Sequence, residues 1–68
     1  MEVAEAVEKI KRCLPPGVGA DEVKALLERV PDCLPWIVDY FGGDCDYGLP
    51  SEAVPIVEGI NNLARRIH

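Results

Sequence analysis

Apolar residues recur at helical spacing in four segments of the chain, and proline or glycine separates each segment from the next. The four apolar stripes consist of Val3, Val7, Ile10 and Leu14; Val23, Leu26, Leu27 and Val30; Leu34, Ile37, Val38 and Phe41; and Val54, Val57, Ile60, Leu63, Ala64 and Ile67. They predict helices over about residues 2–14, 21–30, 33–41 and 52–67. Because no useful run alternates with the period of a strand, the sequence predicts an all-α fold, a compact orthogonal bundle of four short helices in one domain of residues 1–68.

Prolines and glycines set the expected helix boundaries. Residues 15–17 (PPG) end the first helix, because proline lacks an N–H group and disfavours the α conformation of the residue before it. Pro31 ends the second helix in the same way, and Gly42 and Gly43 offer a left-handed stop to the third. Pro35 falls in the first turn of the third helix, where its missing N–H is no loss, so it starts this helix rather than breaking it.

Polar residues and one glycine refine this picture. Asp21, Asp32 and Ser51 each precede a predicted helix and can cap it with a side-chain oxygen. Gly59 lies in the middle of the last helix, where glycine costs about 1 kcal/mol relative to alanine. Its presence there indicates close packing against another helix, or a bend.

The distribution of charge restricts the possible partners. Seven basic and twelve acidic residues give a net charge of −5, and the chain has no Lys or Arg between Arg29 and Arg65. Nucleic-acid binding needs a basic stripe that displaces counterions from phosphates, so we expect no nucleic-acid partner. An anionic membrane surface is disfavoured for the same reason. An electrostatic partner is expected to be basic.

The sequence favours a cytoplasmic, reduced protein. No apolar run approaches the roughly 18 residues of a membrane span, and the first residues do not resemble a secretory signal. Three cysteines, an odd number without Cys-x-x-Cys spacing, favour free thiols, with a Cys33–Cys45 disulfide as the alternative. Cys13 and Cys33 adjoin apolar stripes and are expected to act as small hydrophobic residues.

Catalytic, metal and cofactor sites have little support. The one histidine, His68, is terminal, so a Cys/His or Ser/His pair is not expected and the protein is predicted not to be an enzyme. Asp44 to Gly48 begins like a calcium loop, but Leu49 and Pro55 stand where that loop needs glycine and glutamate. Zinc-ligand and phosphate-loop spacings do not occur either. We therefore expect neither a metal nor a cofactor.

Part of the chain resembles one armadillo repeat. The resemblance covers residues 21–66 and rests on Leu34–Val38 (LPWIV) and Ile60–Ala64 (INNLA). It implies that Asn62 holds the backbone of an extended, often basic, peptide. Glu58 departs from the pattern, because the family commonly has tryptophan there.

A second segment is similar to the small three-helix ubiquitin-binding modules of the CUE or UBA kind. The similarity rests on Leu27–Pro31 (LERVP) and on its spacing to Ile37 and Val57, with Arg29 and Val30 replacing the usual Met-Phe. Each of the two resemblances implies protein or peptide binding, and neither assigns the chain to a family.

The aromatic residues give the most specific expectation about function. Trp36 and Tyr40 lie four residues apart on the flank of the third apolar stripe, and tryptophan and tyrosine are enriched in binding hot spots. The alternative is that the pair closes the core. Adding the following loop, we expect a non-enzymatic protein- or peptide-interaction module with an acidic, aromatic surface formed by Trp36, Tyr40, Asp44, Asp46, Tyr47 and Asn62.

Two other interpretations stay open. The chain is alternatively a structural, self-associating protein that buries surplus apolar surface in a homodimer. It is also compatible with a designed sequence without evolved function, although six prolines, six glycines and three cysteines are unlike an idealised design.

Overall fold

Four α-helices and one 3₁₀ turn make up the regular structure of the chain. The computed structural model describes residues 1–43 and 48–66. Its helices are α1 (Val3–Lys11), α2 (Ala20–Leu27), α3 (Leu34–Gly42) and α4 (Val54–Arg65), and the 3₁₀ turn spans Pro31–Cys33. No strand occurs in these residues, so the predicted all-α class with four helices is confirmed.

The first two helices end earlier than the apolar stripes predict. Beyond α1, the Cys13 N–H donates to the Ile10 carbonyl at 2.9 Å, and beyond α2 the Val30 N–H donates to the Leu27 carbonyl at 3.1 Å. These tighter bonds span three residues instead of four and are typical of the last turn of a helix. Proline disfavours the α conformation of the residue before it, and Val30, which precedes Pro31, lies outside the helical region with a φ of −136° and a ψ of 60°. Each of the two helices thus ends a few residues before a proline, Pro15 or Pro31.

A lysine fastens the turn between α1 and α2. The Lys11 Nζ donates to the Val18 carbonyl oxygen at 2.7 Å in a partly buried position. Val18 itself is buried, and its N–H donates to the Pro15 carbonyl at 3.2 Å. The turn is therefore held by a charged hydrogen bond on one side and by apolar burial on the other.

Proline and glycine set the ends of α3 as predicted. Pro35 is the second residue of the helix, where no N–H partner is required. Gly43 adopts the left-handed conformation with a φ of 84°, and its N–H donates to the Tyr40 carbonyl at 3.2 Å. The predicted left-handed glycine stop is thus confirmed, and α3 extends one residue beyond the predicted end at residue 41.

The predicted side-chain caps are wrong. The residues that precede α2, α3 and α4 are Gly19, Cys33 and Ala53, and no side-chain oxygen caps these helices. Asp21 falls inside α2 because the helix begins at Ala20, and Asp32 lies in the 3₁₀ turn. Ser51 belongs to a separate turn, which the Ala53 N–H closes on the Pro50 carbonyl at 2.9 Å. Pro55 consequently occupies the second position of α4, where it is tolerated.

The core lies where α1 packs on α2 and α3 and where α2 packs on α4. Its buried residues are Ala6, Ile10, Val18, Val23, Leu27, Cys33, Leu34, Ile37, Ala53, Ile56, Val57 and Ile60. Val54 was predicted to be inside but is 40% exposed, because Ala53, just before α4, and Ile56, within it, are the residues buried in the core. Among the described residues, no polar or charged side chain is buried.

The chain is as compact as expected for its length. The radius of gyration is 10.8 Å, against roughly 11 Å for a compact chain of this length. Within residues 1–43 and 48–66, no helix combines the length and the apolar character needed to cross a bilayer, and the longest, α4, has 12 residues.

Candidate functional site

The outer side of α3 carries two exposed aromatic residues. Trp36 is 38% and Tyr40 is 40% exposed, whereas Leu34 and Ile37 of the same helix are buried. At 3.6 residues per turn, Trp36 and Tyr40 lie one above the other, on the side of α3 that faces away from the core. The Tyr40 ring meets Phe41 edge to face, with centroids 5.3 Å apart and an interplanar angle of 87°. We call Trp36, Tyr40 and the neighbouring Asp39 the α3 face.

Carboxylates surround the start of this helix. Burial raises the pKa of the Cys33 thiol, and the negative charges of Glu52 and then Asp32 raise it further. The negative charges of two carboxylates therefore act on the buried thiol. Asp32 precedes α3 in the sequence and Glu52 follows it. The two ion pairs among the described residues lie on α1 and α2, so Asp32, Asp39 and Glu52 have no basic partner within 4 Å there.

The other predicted site residues do not extend this face. Asp44, Asp46 and Tyr47 lie outside the described residues, as does Cys45. Asn62 is exposed on α4, where its Oδ1 accepts a hydrogen bond from the Arg65 Nη1 at 3.3 Å. It lines two hollows, and neither of them includes Trp36 or Tyr40.

A groove between α2 and α4 is a feature that sequence reasoning missed. It is open to solvent, has a volume of about 380 Å³ and is lined by Glu22, Ala25, Leu26, Gly59, Asn62, Leu63 and Arg66. A smaller hollow of about 140 Å³ shares Glu22, Leu63 and Arg66 with the groove and continues it onto the turn at residues 17–19. The one sequence feature that pointed to this contact was Gly59, because a glycine in the middle of a helix indicates close packing against another helix.

The contact at Gly59 explains how the groove forms. A Cβ atom built at Gly59 would stand 3.2 Å from Leu26 Cδ1 and 3.3 Å from Leu26 Cδ2, closer than ordinary van der Waals contact. Glycine thus lets α2 and α4 approach each other here. Leu26 and Leu63 are only half-buried and leave an apolar floor open to solvent.

Acid and base line this groove without pairing. Glu22 on α2 and Arg66 at the end of α4 both border the groove and the smaller hollow. Within residues 1–43 and 48–66, no ion pair within 4 Å joins these two residues to each other or to another side chain. The groove therefore offers a carboxylate, a guanidinium and an apolar floor.

Apart from these two surfaces, the remaining candidate sites would be a cluster of metal-binding side chains or the two described cysteines, Cys13 and Cys33. Within residues 1–43 and 48–66, no three His, Cys, Asp or Glu side chains lie together as a metal site. Cys13 is exposed, so the expectation that it packs as a small hydrophobic residue is wrong; its Sγ donates weakly to the Lys9 carbonyl at 3.8 Å. That bond follows from its place just past the end of α1, where its thiol reaches back one turn. Cys33, by contrast, is a free and buried thiol, as expected.

Comparison with known proteins gives no relative for this chain. No protein-family model matches it, and neither a curated protein nor a solved structure matches it significantly. The armadillo and CUE/UBA resemblances thus remain confined to the few residues that carry them, and the function has to be argued from the two surfaces.

Proposed function

We propose that the protein is a non-enzymatic interaction module that binds a basic segment of a partner protein on the α3 face. The observation that carries the proposal is the exposure of Trp36 and Tyr40, at 38% and 40%, on a helix whose core side is already filled by Leu34 and Ile37. Large aromatic side chains that the core does not need are typical anchors of protein interfaces.

The charge around these aromatic rings favours a basic partner. Asp39 adjoins Tyr40 on the α3 face, and Asp32 and Glu52 add negative charge near the start of the helix. An arginine or lysine placed over the ring of Trp36 would gain a cation–π interaction, and Asp39, three residues further along the same helix, adds a carboxylate one turn away. Because Asp32 and Glu52 are exposed and Asp39 is only half-buried, the affinity should fall as ionic strength rises.

A peptide titration tests this proposal. The probes are a peptide with arginine and leucine at helical spacing and a matched peptide in which glutamate replaces every arginine. We expect the arginine peptide to shift Trp36 fluorescence to the blue as the indole leaves water, and the glutamate peptide to have no effect. Amide chemical shifts should change along α3. Equal binding of both peptides, or shifts confined to other helices, would contradict the proposal.

Variants locate the interaction on the α3 face. Asp39→Asn should weaken the arginine peptide by up to about fivefold, which corresponds to the value of one exposed ion pair. Glu5→Gln is the matched control, since it removes an exposed carboxylate from α1 and should leave the affinity unchanged. Tyr40→Ala should weaken binding more strongly, because it removes an apolar anchor.

Self-association through the same aromatic residues is the competing interpretation. Sedimentation equilibrium of the reduced protein over a wide concentration range separates the two. A mass that stays monomeric supports a free α3 face, whereas a dimer that Tyr40→Ala dissociates would mean that a second copy occupies this face.

A further inference from the structure

We propose that the groove between α2 and α4 binds an apolar α-amino acid in its zwitterionic form. The ligand's ammonium group would lie at Glu22, its carboxylate at Arg66, and its side chain on the floor made by Leu26 and Leu63. This site is separate from the α3 face, and nothing about it depends on the function proposed there.

The volume of the groove suits such a ligand. Its 380 Å³ falls within the range of about 300–1,000 Å³ that is common for ligand pockets. An apolar cavity of about 150 Å³ already holds benzene, so the groove has room for a leucine or phenylalanine side chain together with its charged groups.

The arrangement of charges selects the chemical class. The residues that line the hollows place Gly59 level with Leu26, and Arg66 level with Glu22 and the turn at residues 17–19, as expected of antiparallel helices. Carboxylate and guanidinium therefore border the groove from different helices, without an ion pair between them. A ligand with one positive and one negative group, close together beside an apolar group, satisfies both charges at once.

Asn62 adds a neutral hydrogen-bonding group to the same groove. Its Oδ1 accepts from Arg65, and its amide N–H groups donate to no other described side chain or backbone group. An amide donor beside a guanidinium is suited to a carboxylate, which accepts several hydrogen bonds. The Arg66 side of the groove is consequently the side where we expect the ligand's carboxylate.

Four probes that share the leucine side chain and differ in their charged groups test the assignment. They are leucine, N-acetyl-leucine, leucinamide and N-acetyl-leucinamide, added to the full chain at matched ionic strength while amide chemical shifts are recorded. We expect leucine to shift amides of residues 17–19, Asn62 and Leu63. Each blocked charge should weaken binding about two- to fivefold, and blocking both should weaken it about tenfold, as expected for exposed ion pairs.

Two variants connect each charge of the ligand with one residue. In Glu22→Gln, leucine and N-acetyl-leucine should bind equally, because the ammonium group has lost its partner. In Arg66→Gln, leucine and leucinamide should bind equally. The matched controls Glu8→Gln and Arg12→Gln remove an exposed acid of α1 and the exposed base just after it, and should keep the full differences among the probes.

Three results would overturn the proposal. One is equal binding of leucine and N-acetyl-leucinamide, which would leave only an apolar contact. Another is the absence of any leucine-dependent shift near the groove, and the third is a pair of groove variants that behave like their controls. Because the readout is confined to amides of the groove, it is independent of the peptide titration that tests the α3 face.

Discussion

Replacing Gly59 by alanine measures how tightly α4 packs against α2. Gly59 is the sixth of the twelve residues of α4, and a glycine-to-alanine change in a helix interior stabilises by about 0.5–1 kcal/mol, because alanine loses less backbone entropy on folding. Against this gain stands the new Cβ, which would lie 3.2 Å and 3.3 Å from the two terminal methyl carbons of Leu26. The sign of the effect depends on whether Leu26 can move.

The structure indicates that Leu26 can yield. Its side chain is half-buried and borders the open groove, so its methyl groups can shift by a few tenths of an ångström without entering another packed residue. We therefore expect the entropic gain to exceed the cost of the contact, with a net stabilisation of about 0.5 kcal/mol. For a domain of this size, that corresponds to a rise in Tm of about 2–4 °C.

Urea unfolding followed by Trp36 fluorescence provides the measurement. Gly42→Ala is the matched control, since a Cβ at this last residue of α3 meets no atom within 4 Å and reports helix propensity alone. Gly43→Ala is the opposite control. It should destabilise by about 1 kcal/mol, because Gly43 has a φ of 84° and alanine is strained in the left-handed region.

A loss of stability in Gly59→Ala, with an unchanged denaturant slope and a stabilised Gly42→Ala, would refute this reasoning. It would mean that Leu26 is fixed by its neighbours and that the groove is rigid. Gly59→Val adds two more carbons toward the same methyl groups and should destabilise by about 1–3 kcal/mol, and Leu26→Ala in the same chain should relieve part of that loss.

Two further predictions concern Lys11 and Cys33. Lys11→Met removes the 2.7 Å hydrogen bond to the Val18 carbonyl and should cost about 1.5 kcal/mol in urea unfolding, whereas Lys9→Met, on the exposed side of α1, should change stability by less than about 0.5 kcal/mol. Because the folded pKa of Cys33 is raised, its thiol ionises more readily in the unfolded chain. Stability should be complete below the unfolded pKa of about 8.5 and fall as the pH rises from there through the folded pKa. Unfolding of Cys33→Ala should lack this part of the alkaline loss, and an identical pH profile would contradict the assignment.

The periodicity of apolar residues was sufficient to predict the helices but not their exact ends. Ile10, Leu27, Ile37 and Ile60 are fully buried, as the stripes require. The ends differed because the stripes continue to Leu14 and Val30, and the proline that follows each of them disfavours the α conformation there. Val54 was misplaced for a related reason: periodicity gives the spacing of buried positions, whereas the starting residue of α4 depends on the turn before it.

The two surfaces differ in how far a sequence can reveal them. Trp36 and Tyr40 share a helix, so their common face follows from a spacing of four residues. The groove brings Glu22 and Leu26 to Gly59 and Arg66, more than thirty positions away along the chain. Local periodicity contains no information about which helices pack together, and only Gly59 gave an indirect sign of the contact.

The helix boundaries of this protein depend on stereochemistry rather than on side-chain hydrogen bonds. Proline is the second residue of both α3 and α4, and Gly43 ends α3. No side-chain oxygen caps any of the four helices. The fixed φ of proline and the conformational freedom of glycine are properties of covalent structure. Neither changes with pH or with ionic strength. These boundaries should persist in acid or concentrated salt, and the polar residues of the connecting segments can diverge during evolution without altering where each helix begins or ends.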